Sequence, residues 1–193
     1  MSETLVHVPP LPVLRWDSFC WSGEVVLATW AGFQALRGGY GAISGAAPSD
    51  GSVLLNVDSP DENARAAPSH AQATAFQYLL DAQVAVQTAI LKSLLQAYPA
   101  MRARYDYPPE EAQLMPEVRS PEQFRELIGL STLHILAVAK GGCAYVGFEL
   151  GCLWDEEHGL GLLTHQERVV DLGGADTAFL GWNAETDARG GSP

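Results

Sequence analysis

The fold turns on residues 133–165, LHILAVAKGGCAYVGFELGCLWDEEHGLGLLTH. Two apolar runs flank Gly141-Gly142, and a third follows an acidic break at 155–158. From Ala144 the residues alternate: Ala144, Val146, Phe148, Leu150, Cys152 and Trp154 share one face. Tyr145, Gly147, Glu149, Gly151 and Leu153 share the other, which is smaller and more polar. Alternation with a period of two is the mark of a half-buried strand. Gly141-Gly142 supplies the positive φ of a tight turn. Leu133–Lys140, Ala144–Trp154, Leu160–His165 and Arg168–Leu172 therefore read as an antiparallel meander.

The N-terminal third also reads as β. Val13–Trp21 and Glu24–Trp30 are rich in aromatic and β-branched residues, with Ser22-Gly23 as the expected turn. Residues 37–51, RGGYGAISGAAPSDG, read as a loop, and Ser52–Val57 as a short strand. The period then changes. Ser69 and Gln72 have capping-box spacing. Phe76, Leu80, Val84, Gln87, Leu91, Leu94 and Tyr98 follow at steps of three or four. They predict one helix of about 29 residues, ~43 Å long, ending before Pro99. Residues 99–119 read as irregular. Ser120-Pro121-Glu122-Gln123 opens a short helix that Gly129 ends. The expected fold class is α+β: an antiparallel sheet of roughly six or seven strands packed against one long helix, plus a short one. Residues 1–182 form a single domain in this reading, and 183–193 a disordered tail.

Charge is the strongest bulk signal. Against 11 Lys+Arg stand 23 Asp+Glu, a formal net charge of −12. Such a surface repels nucleic acid and anionic membrane, and favours either solubility or a cationic partner. No apolar run is long enough to span a bilayer, and the N-terminus lacks the pattern of a secretory signal. Cys20, Cys143 and Cys152 have no CxxC spacing, so free, mostly buried thiols and a cytoplasmic location are expected.

The acidic break, Asp155-Glu156-Glu157-His158, is the candidate site. A loop of about five residues is a common hairpin length, and three acids on an exposed tip cost little to solvate. A structural tip is the reading that loop physics favours. A partner-binding tip made of Asp155, Glu156, Glu157 and His158 comes second. A metal or catalytic site comes last, because HExxH spacing and a second Cys/His cluster are both missing. Trp154, Gly159 and Gly161 have structural roles in all three readings. No catalytic residue, metal ligand or cofactor is assigned. Gly41-Ala42-Ile43-Ser44-Gly45 has the wrong spacing for a nucleophile elbow. Gly39-x-Gly41-x-x-x-Gly45 misses the dinucleotide fingerprint, and no P-loop is present. Cys152 and His134 fall where core residues are expected, which disfavours a Cys/His pair.

Over Trp154-Asp155-Glu156-Glu157-His158-Gly159-Leu160-Gly161 the chain resembles a family of uncharacterised bacterial proteins. These carry a Trp-Asp-x-Glu-His-Gly-x-Gly hairpin, then a basic residue, two valines and a Gly-x-x-Asp turn. Here the trailing part is Arg168-Val169-Val170 with Gly173-Gly174-Ala175-Asp176. The likeness takes in the Ser120 helix start, covers about residues 68–180 in pattern, and is sharp over about 150–180. No catalytic residues carry over from it. It implies kinship with small acidic cytoplasmic antidotes of bacterial toxin systems. The expectation is thus a non-enzymatic immunity protein that binds a basic toxin domain, with no nucleic acid, membrane or cofactor and an open oligomeric state. The alternative is a hydrolase or metal-dependent enzyme using the 155–158 hairpin.

Overall fold

A computed structural model describes residues 4–36, 43–61 and 65–191. Its strands are β1 (Leu5–Val6), β2 (Leu14–Trp16), β3 (Cys20–Val26), β4 (Gln34–Leu36), β5 (Ile43–Pro48), β6 (Ser52–Asp58), β7 (Ile128–Lys140), β8 (Cys143–Cys152), β9 (Leu160–His165) and β10 (Arg168–Gly173). The helices are α1 (His70–Asp81), α2 (Gln83–Tyr105) and α3 (Trp182–Ala188). Eight strands form one sheet in the order β1-β2-β3-β6-β7-β8-β9-β10, and β4 pairs with β5 apart from it. The architecture is α+β, with more strands than expected.

Every neighbouring pair in the large sheet is antiparallel except β6 and β7. That parallel pair follows from its connection. A parallel neighbour needs a long crossover, and α1 and α2 supply it. The Ser69 capping box closes as expected: Gln72 N–H donates to Ser69 Oγ at 3.3 Å, and Ser69 N–H to Gln72 Oε1 at 2.8 Å. Gln72 Nε2 then donates to the Asp58 and Ile135 carbonyls, tying the helix start to β6 and β7.

The single long helix is corrected to two. Ala82 leaves helical geometry (φ −117°, ψ 23°) between α1 and α2. The break resets the buried face from Ala75, Phe76 and Leu79 to Val86, Ile90, Leu94 and Tyr98. Val84, expected inside, is 70% exposed. Pro99 lies within α2, and Asp106 in left-handed geometry ends it. Proline costs a helix one hydrogen bond. Here the turn beyond it is anchored by Arg102 Nε, which donates to the Met115 carbonyl at 2.9 Å.

Three further expectations change. Ser22-Gly23 is not a turn but lies inside β3. The chain reverses at Asp17–Phe19, where the Asp17 carboxylate accepts from the backbone N–H groups of Phe19 and Cys20 and from the Ser22 hydroxyl. The 37–51 loop contains strand β5; residues 37–42 lie outside the described residues. Gly129 does not end a helix but sits in β7, where a Cβ would come within 2.2 Å of the Gln34 carbonyl oxygen.

Strand β8 departs most from expectation. Its apolar face packs into the main core under α1 and α2. Its other face is buried too, because residues 174–188 fold back over it. Tyr145 is fully buried in a second, small core with Leu136, Leu163 and Ala184. Gly147 is needed there, since a Cβ would lie 1.7 Å from the Ala178 carbonyl oxygen. In place of the expected disordered tail, α3 is held by buried Asp187. Its carboxylate accepts from Tyr145 Oη at 2.6 Å, Arg168 Nη2 at 2.6 Å and Lys140 Nζ at 3.2 Å.

Candidate functional site

The β8–β9 hairpin ends at residues 153–159, and its four polar residues have different fates. Asp155 is not free: its side chain is only 14% exposed. Oδ2 accepts from Tyr105 Oη at 2.6 Å, and Oδ1 from the backbone N–H of His158 at 2.9 Å. The His158 Nδ1 lies 3.0 Å from Oδ1 as well. Burial by itself would raise the Asp155 pKa. The Tyr105 and His158 hydrogen bonds outweigh it and hold the carboxyl below its usual range. Glu156, Glu157 and the His158 ring face solvent. An aspartate closing its own loop is a common turn device.

The loop is clamped from outside by Tyr105, the last residue of α2, and by Tyr107 just beyond it. Tyr107 Oη donates to the Trp154 carbonyl. Tyr105 and Tyr107 stack with centroids 5.9 Å apart and planes 7° from parallel. Burial first, and then the Asp155 carboxylate, raise the Tyr105 pKa, so it stays a proton donor. Trp154 is 1% exposed, edge-on to Tyr98 at 5.4 Å. Gly159 turns the chain back at φ 62°. Gly161 lets the 174–175 backbone approach, where a Cβ would meet the Gly174 carbonyl oxygen at 2.3 Å.

Sequence reading missed Tyr105 and Tyr107. The only local signal is an aromatic pair two residues apart after a helix, and nothing in it points 50 residues ahead. Their clamp brings Asp106 and Glu111, on either side of Tyr107, toward the hairpin end. Two clefts open beside it. One, of about 370 Å³, is lined by Ala97, Met101, Arg104, Tyr105, Leu172 and Gly174. The other, of about 290 Å³, is lined by Arg102, Asp106, Tyr107 and Met115, among others.

His134, Cys143 and Cys152, the Cys/His candidates of the sequence, are engaged or buried. His134 Nε2 lies 2.8 Å from Glu149 Oε2 on the outer side of the sheet. Burial pushes the Cys152 thiol up to about 12 and raises Cys143, the opposite of an activated nucleophile. Among the described residues no three His, Cys, Asp or Glu side chains gather closely enough to hold a metal ion. No helix among them is long and apolar enough to cross a membrane.

With this geometry in place, sequence comparison finds a family match over residues 48–180, to a domain of unknown function, DUF6985. The chain belongs to the DUF6985 family. No curated protein and no solved structure matches it. The DUF6985 region takes in the whole 153–159 hairpin, its tyrosine clamp and the turn at 175–178 that covers Gly147 and Gly161. Strands β1–β4 and helix α3 lie outside it.

Proposed function

We propose that the protein is a non-enzymatic binding protein of the immunity type, which occludes a basic toxin domain with the acidic end of its β8–β9 hairpin. One observation carries the reading. Asp155 is spent internally on Tyr105 and His158, so the loop is held from within and displays Glu156, Glu157 and the His158 ring. A carboxylate locked in this way is poorly placed as a ligand or general base, whereas an acidic tip beside two clefts suits docking. The net charge of −12 and the hairpin resemblance support the same reading. The bacterial, cytoplasmic setting belongs to this proposal.

Charge of this kind acts mainly on association rate. The reading expects a basic toxin domain to be encoded beside this gene, and the test uses that domain as the probe. A 1:1 complex should form, and the pair Glu156→Gln/Glu157→Gln should slow association several-fold at low salt. The defect should shrink as the screening length falls below ~8 Å. Asp155 stays intact in this test because it holds the loop. An association rate unchanged at low salt, with the fold preserved, would place the interface elsewhere. A stoichiometric metal ion bound at 155–158 would revive the enzyme alternative.

A further inference from the structure

The outer side of the sheet is only half covered. Cross-strand register places Leu5, Arg15, Ser22, Asn56 and His134 in one row of that side, and Glu24, Leu54, Thr132 and Glu149 in the next. Residues 174–188 lie over β7–β10. Their cover stops at Phe179, whose ring centroid is 5.4 Å from that of His134. Beyond it, among the described residues, nothing lies over the outer side of β2, β3 and β6. Eight large hydrophobic side chains are exposed among the described residues, and five of them, Leu5, Val26, Leu54, Phe179 and Trp182, lie on this side or on the segment over it. On the uncovered strands themselves Val26 and Leu54 are diagonal neighbours ringed by Glu24, Ser52 and Asn56, and an exposed apolar patch with a polar rim marks an interaction surface.

The dimensions and the charge say what would cover it. From β2 to β6 is two strand spacings, ~10 Å, close to the ~10–12 Å diameter of one helix. Strands β3 and β6 have seven residues each, a length of ~23 Å that about 15 helical residues would span. Residues 17–34 and 48–61, which hold both strands and their flanking turns, contain Asp17, Glu24, Asp50, Asp58 and Asp61 and no lysine or arginine. Arg15 on β2, Asp58 and Asp61 are each engaged in contacts of their own, so the exposed acids left to meet a partner are Asp17, Glu24 and Asp50. The floor is also preorganised: Ser22 Oγ donates to Asp17 Oδ2 at 2.9 Å and lies 3.0 Å from Asn56 Oδ1.

We propose that the bare outer side of β2, β3 and β6, between the β1 edge and Phe179, receives one basic amphipathic helix of about four turns from a partner protein. Its apolar stripe would lie on Val26 and Leu54, and its lysines and arginines would reach Glu24, Asp17 and Asp50. Such packing would complete over this half of the sheet the layer that α3 begins over the other. The inference shares with the proposed function only the partner's positive charge; it needs neither the hairpin nor a toxin.

The probe is a synthetic 16-residue helix with leucine on one face and lysine elsewhere, titrated into the full chain and followed by calorimetry and amide shift mapping. Shifts should centre on 22–26, 52–56 and 179, and a leucine/glutamate counterpart should not bind. Leu54→Lys, at a position 44% exposed and so compatible with folding, should weaken binding at least tenfold. Glu156→Gln/Glu157→Gln should change it less than twofold. The proposal is overturned if nothing binds, if Leu54→Lys binds within twofold of the parent, or if shifts gather at 105–111 and 155–159, which would favour the hairpin instead. Self-association by sedimentation that Leu54→Lys abolishes would also overturn it, by showing a second copy as the occupant. If the peptide binds here while the hairpin variant leaves toxin association unchanged, this surface stands and the hairpin reading falls.

Discussion

Asp187→Ala tests whether α3 is an integral part of the fold. The carboxylate is buried and takes hydrogen bonds from Tyr145, Arg168 and Lys140. Removing it strands the fully buried Tyr145 hydroxyl, at a cost of ~1–3 kcal/mol. Arg168 and Lys140 lose a partner but not their water: their side chains are 51% and 40% exposed. Each therefore adds only ~0–1 kcal/mol. The expected total is ~1–5 kcal/mol, or a drop in Tm of about 2–20 °C for a chain of this size. The hydrogen bond from Arg168 is the largest influence on Asp187, and with those from Tyr145 and Lys140 it holds the carboxyl well below the usual carboxylate range. A carboxyl whose folded pKa is depressed contributes fully above its unfolded pKa of ~3.9 and loses that contribution as pH falls toward the folded value. Chemical denaturation should show a constant gap between parent and variant from pH 5 to 8, narrowing below about pH 4. Amide exchange in 182–188 should accelerate in the variant. A gap under ~0.5 kcal/mol, or one that persists unchanged into strong acid, would refute the role given to this network.

Trp154→Ala should cost ~3–5 kcal/mol in denaturant unfolding, the range for a buried aromatic side chain. Trp154→Phe should cost much less, because the buried indole N–H has no hydrogen-bond partner among the described residues. Gly147→Ala should destabilise by more than ~2 kcal/mol, since the new Cβ would collide with the Ala178 carbonyl, whereas Gly141→Ala would meet no atom within 4 Å and suffer only the strain of φ 60°. In native protein at pH 8 a thiol reagent should modify Cys20 first. Cys143 and Cys152 should react only on unfolding, because both are buried and burial raises their pKa values.

The legible parts of the molecule share a property. The Gly141-Gly142 turn, the Ser69–Gln72 cap and the β8 alternation each rest on contacts or dihedral angles within a few residues. The N-terminal turn departs from its expected place for a related reason: two local signals compete. Ser22-Gly23 looks like a turn, but its glycine serves close packing, where a Cβ would meet Leu14 at 2.8 Å. Asp17 makes the actual reversal through its carboxylate. The candidate site divides in the same way. That Asp155–His158 forms a hairpin tip could be read from spacing. That Asp155 is internally spent while Glu156 and Glu157 stay exposed could not, because Tyr105 approaches from the end of a helix 50 residues earlier.

The sequence by itself determined the β7–β10 meander, the capped start of α1, the hairpin that carries the acids, and the sign of the surface charge, all consequences of local periodicity, turn chemistry and composition. Tertiary structure alone decided that α1 and α2 break at Ala82, that β6 and β7 run parallel, that β8 is buried on both faces and that the C-terminal helix is anchored through Asp187. Each of these depends on segments far apart in the chain competing to cover the same apolar surface and to satisfy the same buried polar groups. Periodicity reports which face of an element is apolar; it carries no record of which distant segment will lie against the other.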